Sequence, residues 1–161
     1  SMPSFPNQGF ELLSGVAQFT GQILGGCLDS MSECLENSRY EDTVRLVHQY
    51  QLFPTLEEWK GKILLLETSE EQPTPECFQK MIQTLERYGL FDVVSGVLVG
   101  KPQNETYYEE YKEILLEELG GKQLSIVYNI NVGHATPRCI IPFGIEALVD
   151  VDDQVIRFIY E

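Results

Sequence analysis

Short apolar runs alternate with stripes of helical period along most of this chain. Ile63 to Leu66 are four apolar residues in succession after a Lys-Gly-Lys lead-in, the pattern of a strand buried on both faces. Glu67 stands at its carboxyl end. Val93 to Val99 reads as a second interior strand, ending at Gly100-Lys101-Pro102, and Leu124 to Ile130 as a third, running into Asn131-Val132-Gly133-His134. Gln18 to Leu24, with Phe19, Ile23 and Leu24, predicts an earlier strand closed by Gly25-Gly26. Phe143 to Val151 and Val155 to Tyr160 are joined so closely at Asp152-Asp153 that they predict an antiparallel pair.

The helical stripes lie between these strands. Leu28, Met31 and Leu35 predict a short helix whose amino end rests on the two glycines. Thr74 is an N-cap with Pro75 at the first helical position, Phe78, Met81, Ile82 and Leu85 form the apolar face, and Gly89 ends the helix. Thr106 to Leu119 repeats the pattern, with Tyr107, Tyr111, Ile114, Leu115 and Leu119 inward and Gly120-Gly121 as the stop. Asn37 to Glu57 is polar, with a weak stripe through Val44 and Val47 that ends at Leu52-Phe53-Pro54, and reads as a connecting segment. Pro3 to Glu11 has no periodicity, so residues 1–17 read as a leading segment, with Ser1-Met2 left over from expression. The order of elements predicts one α/β domain over residues 18–161, with a mainly parallel core sheet and antiparallel C-terminal strands.

Charge narrows the function. Against 25 acidic residues stand only 11 basic ones, a net charge of −14, which argues against nucleic acid as a partner because phosphate binding needs clustered Lys and Arg. The same acidity disfavours anionic membrane surfaces, and no apolar run approaches the roughly 20 residues of a membrane span. The expectation is a cytoplasmic protein. Cys27, Cys34, Cys77 and Cys139 are too scattered for a zinc site or a disulfide framework and predict reduced, mostly buried thiols.

Two strand ends carry chemistry. A carboxylate that accepts one ring N–H of a histidine fixes its tautomer and leaves the other nitrogen as a general base, so Glu67 and His134 are candidates for such a pair. The alternatives are a solvated loop carboxylate and an ordinary Gly-His turn. No nucleophile accompanies the pair: GxSxG is absent, and neither Ser69 nor Ser95 has surroundings that mark activation. Cys27, at a predicted helix amino end, is either a thiol of lowered pKa or an inert packing residue. His48 reads as a surface residue, Glu70 and Glu71 as a solvated acidic loop, and Tyr107, Tyr108 and Tyr111 as helix packing.

GGCLDS at Gly25 to Ser30, WKGKILLLETSEE at Trp59 to Glu71, VVSGVLVGKP at Val93 to Pro102 and NVGHATPRCIIPFGIEALVD at Asn131 to Asp150 occur in the order seen in the LD-carboxypeptidase family of serine peptidases. The chain resembles the C-terminal domain of that family, in its microcin-immunity-like branch, from about Gln18 onward. The resemblance implies a swivelling β/β/α fold and a Ser-Glu-His triad divided between two domains. Its glutamate falls on Glu67 and its histidine on His134, while the serine belongs to an N-terminal domain outside this chain. It further implies a cytoplasmic homodimer, no metal or cofactor, and a peptide-like small-molecule substrate, either an LD-muropeptide or a microcin-like aminoacyl nucleotide. Relatives often carry GGN where this chain has Gly25-Gly26-Cys27, which opens the role of that position. On its own the chain is expected to be inactive; the competing expectation is a non-catalytic recognition or dimerisation module.

Overall fold

The computed structural model of the chain describes residues 4–6, 9–37, 53–68, 72–131 and 141–159. Within them, one sheet is built from β1 (Ser4–Pro6), β2 (Glu11–Ser14), β3 (Gln18–Cys27), β4 (Ile63–Glu67), β5 (Gly96–Gly100), β6 (Ser125–Ile130), β7 (Ile141–Asp150) and β8 (Val155–Ile159). The helices are α1 (Leu28–Asn37), α2 (Leu56–Trp59), α3 (Pro75–Tyr88) and α4 (Tyr108–Leu119). The strand order is β1-β8-β7-β3-β4-β5-β6-β2. Strands β3 to β6 run parallel, and all other pairings are antiparallel. This is the α/β architecture the periodicities predict.

The two faces of the sheet hold two apolar clusters. Leu64, Leu66, Val97, Val99, Ile126 and Tyr128 face α1, α3 and α4, whose Leu28, Met31, Phe78, Ile82, Leu85, Leu115 and Leu119 cover them. Their neighbours Ile63, Leu65, Leu98 and Val127 point the other way, toward Phe19, Ile23, Ala147, Val149 and Ile156. Among the described residues no helix covers this second face; the sheet encloses it by curling. Chain length demands the curl. A flat sheet of eight strands would separate β1 from β2 by about 34 Å, whereas the five residue steps from Pro6 to Glu11 reach at most about 18 Å.

Local chemistry sets the helix limits. The Thr74 side chain accepts a hydrogen bond from the Cys77 backbone N–H at 3.2 Å, Pro75 opens α3, and Gly89 closes it at φ 99°. Thr55 and Glu58 form a reciprocal capping box on the short α2, which delivers Trp59 to a fully buried position.

Four sequence expectations are corrected. Gly25 and Gly26 do not end their strand: β3 continues to Cys27, because both glycines pair in register with Leu65 and Leu66 of β4. The second interior strand starts at Gly96 rather than Val93, since Leu90–Asp92 form a 3-10 turn whose Leu90 carbonyl takes the Val93 and Val94 N–H groups. Helix α4 starts at Tyr108, after Tyr107 in a left-handed conformation at φ 61°. Finally, the leading segment is not irregular throughout; it supplies the two edge strands, β1 against β8 and β2 against β6.

Candidate active site

The carboxyl ends of the parallel strands form one row: Cys27 on β3, Glu67 on β4, Gly100 on β5 and Ile130 on β6. Cys27 is the register partner of Glu67, and Gly100 is the partner of Ile130. The half-buried Glu67 leans toward β5: a methyl group added at Gly100 would lie 3.4 Å from its Cγ and 3.7 Å from its Oε1. Here the sheet presents a carboxylate at the edge where open α/β sheets place their ligands.

His134 lies outside the described residues. The ends of its segment are nevertheless fixed. Ile130 closes β6, two strands from Glu67 on one side, and Ile141 opens β7 as the register partner of Gly25 on the other. Both ends sit at the carboxyl edge, with Glu67's strand between them. Strands β4 and β6 are not neighbours, because β5 separates them.

The other candidates fall as follows. Ser95 and Ser125 lie at the opposite, amino edge, beside an open cleft of about 480 Å³ that Lys122 and Asp92 also line. The Ser95 hydroxyl donates to the Thr20 carbonyl at 3.0 Å and the Ser125 hydroxyl to that of Val16 at 2.9 Å, so both hold strand starts together. Tyr111 stacks on Phe78 with ring centroids 4.1 Å apart, which is helix packing as expected. Burial, with a smaller contribution from Glu33, pushes the Cys34 thiol up. His48, Ser69, Glu70, Glu71 and Cys139 lie outside the described residues. Among the described residues, no group of His, Cys, Asp and Glu is arranged to hold a metal ion, and no helix is long and apolar enough to cross a membrane.

One constellation had no sequence signal. Glu11 on β2 accepts hydrogen bonds from the Tyr108 hydroxyl and, at 2.6 Å, from Lys112 Nζ, both on α4, while the Tyr128 hydroxyl donates to the Tyr108 carbonyl at 2.7 Å. Burial pushes the Glu11 carboxyl up, but the hydrogen bonds from Lys112 and Tyr108, with the lysine's charge, outweigh it and hold the carboxyl below its usual range.

Residues 20–149 match the family model described as the LD-carboxypeptidase C-terminal domain. The chain belongs to that family. Several structural and sequence relatives agree with it. A MccF-like protein from Streptococcus pneumoniae, solved in complex with AMP, is 57% identical, with a TM-score of 0.81, and the match covers 96% of this chain and 45% of that protein. A Vibrio cholerae protein with a carboxypeptidase assignment is 26% identical over 158 residues, which cover 96% of this chain and 42% of the relative. The microcin C7 self-immunity protein MccF of Escherichia coli is 26% identical over 97 residues, 58% of this chain and 28% of its own length. The chain thus spans less than half the length of these relatives. The family is one of peptidases, and the resemblance carried by the LETSE and GHAxP motifs is upheld.

Proposed function

We propose that this LD-carboxypeptidase domain supplies Glu67 and His134 to a Ser-Glu-His triad whose serine lies in a separate N-terminal domain. The substrate is an amide next to a terminal carboxyl group, in a peptide-like small molecule. The observation that carries the reading is the placement of Glu67 at a carboxyl strand end, between the two fixed ends of the segment that contains His134. In this mechanism His134 takes the serine proton during attack on the carbonyl and returns it to the leaving amine. Glu67 accepts the other ring N–H, fixes the tautomer and stabilises the imidazolium.

Between the two substrate classes, the aminoacyl nucleotide is favoured. The support is 57% identity to a MccF-like protein solved with AMP. Cys34 and Cys77 are free thiols, in keeping with a reducing cytoplasm. The proposal includes a homodimer and an isolated domain without turnover, since the described Ser95 and Ser125 are engaged with backbone and distant from Glu67's edge. No metal or cofactor takes part.

The test is Glu67→Gln in the full-length protein, assayed on an aminoacyl sulfamoyl adenosine and on an LD-muropeptide. The expected result is a fall in kcat of about 10³-fold or more, the scale on which a mis-set histidine tautomer acts in triads. Unchanged turnover would overturn the assignment and leave a recognition or dimerisation module as the better reading.

A further inference from the structure

We infer that Gly100 is a positioning residue for Glu67: its bare backbone is the floor on which the carboxylate rests, and the absence of a side chain leaves the carboxylate where the triad needs it. The inference rests on the function proposed above. Glu67 and Gly100 stand side by side on β4 and β5, directly after the register partners Leu66 and Val99. Leu65 and Leu98, two residues back on each strand, face the curled side of the sheet, so alternation turns Glu67 and position 100 to that same side.

The contact itself is close. A methyl group at position 100 would lie 3.4 Å from Glu67 Cγ, 3.5 Å from the Leu66 carbonyl oxygen and 3.7 Å from Glu67 Oε1. Gly100 is buried, and its place is fixed from the other side as well. The β5–β6 pairing shifts register between Leu98 and Gly100, which brings Ile130 opposite Gly100, and the Lys101 N–H donates to the Ile130 carbonyl at 2.8 Å.

Neither backbone nor packing demands glycine here. The φ of Gly100 lies outside the left-handed region, so an L side chain is conformationally acceptable. At Gly21, Gly25 and Gly96 a Cβ would come within 2.6 Å of a neighbouring atom, whereas at Gly100 the contacts among the described residues begin at 3.4 Å. Alanine therefore fits against Glu67, and anything larger displaces it. Because Glu67 acts by orienting His134, such a displacement falls on the chemical step rather than on substrate binding.

Turnover per folded molecule of the full-length enzyme tests this, with urea midpoints supplying the folded fraction. Gly100→Ala, whose methyl limits the swing of the carboxylate, should lower kcat about threefold, and Gly100→Val about 10²-fold with KM unchanged, the scale of a misplacement of about 1 Å. The deciding measurement is the same valine substitution in a Glu67→Gln background. There it should cost less than about twofold, because the group it displaces has already lost its function. An equal loss in both backgrounds, a raised KM, an alanine variant as slow as valine, or a valine variant with wild-type kcat would each overturn the inference. Failure of the triad itself is separate: it would appear as full turnover in Glu67→Gln with glycine still at position 100.

Discussion

The side chain of Gln154 grips the backbone of Phe10. Its Oε1 accepts from the Phe10 and Gly9 N–H groups at 2.7 and 2.8 Å, and its Nε2 donates to the Phe10 carbonyl at 3.2 Å and to that of Val151 at 2.9 Å. Gln154 belongs to the turn between β7 and β8, whereas Phe10 leads into β2 at the other edge of the sheet. One amide side chain thus ties together the two margins of the curled sheet. On the β2 side, the Asn129 amide donates to the Gly9 carbonyl at 2.9 Å.

Gln154→Ala should cost about 2 kcal/mol, since it leaves partly buried backbone groups without their partners. Gln154 already has φ 54°, and alanine meets the same backbone strain, so the difference reports the side chain alone. Urea denaturation measures the loss. Hydrogen exchange should place it at the amides of Gly9 and Phe10, and unchanged protection there would contradict the clamp.

The Glu11–Lys112 contact ties β2 to α4 and has a definite pH dependence. The Glu11 carboxyl is held below its usual range in the folded protein, so its contribution is complete above that range and is lost as pH falls through the lowered value. The pair is about one-third exposed, which limits it to about 1 kcal/mol. Lys112→Met should therefore be less stable than wild type by that amount at pH 7, and the gap should shrink as pH falls below about 4. A gap that stays constant down to acid pH would show that the lysine acts through packing alone.

How much of this could be read in advance depended on whether the cause was local. The continuous run Ile63 to Leu66 announced a strand buried on both faces, and Leu64 and Leu66 do face the helices while Ile63 and Leu65 face the curl. Thr74, Pro75 and Gly89 marked α3 because capping is decided within a few residues. The position of Glu67 at the carboxyl end of β4 was legible for the same reason, as a carboxylate directly after an apolar run. By contrast, Gly25 and Gly26 were misread as a stop, because what demands glycine there is the approach of β4, some forty residues later in the chain. The leading segment was misread for a related reason. Its strands are too short to show a period, and each is made a strand by an edge supplied from the far end of the sequence. The Gln154 clamp and the Glu11 contact join residues more than ninety positions apart and leave no pattern along the chain.

Thr74→Ala should cost about 1 kcal/mol, the usual effect of removing a side-chain oxygen from an N-cap, and Thr74→Ser should recover most of it. The acceptor of the Cys77 N–H is at stake, so thermal unfolding of the two variants is sufficient to measure it. Equal destabilisation by serine and alanine would assign the effect to the lost methyl group instead.

Gly25→Ala carries the strongest structural demand. Gly25 adopts φ 154°, outside the range alanine tolerates well, and its absent Cβ would sit 2.1 Å from the Leu65 oxygen, 2.8 Å from the Leu65 nitrogen and 2.9 Å from the Leu65 carbonyl carbon. All three are backbone atoms, so no rotamer change relieves the overlap, and β3 must move away from β4. The ladder in question ends at Cys27 and Glu67, two residues on. Both the strained backbone and the separated strands cost stability, and together they should exceed about 3 kcal/mol. Where the variant still folds, the displacement should reach the strand ends, and full-length enzyme carrying Gly25→Ala should lose kcat beyond what reduced folded fraction explains. Comparing urea midpoints with turnover per folded molecule separates the two effects. Full activity in a merely destabilised variant would mean that the strand spacing at Gly25 does not govern the position of Glu67.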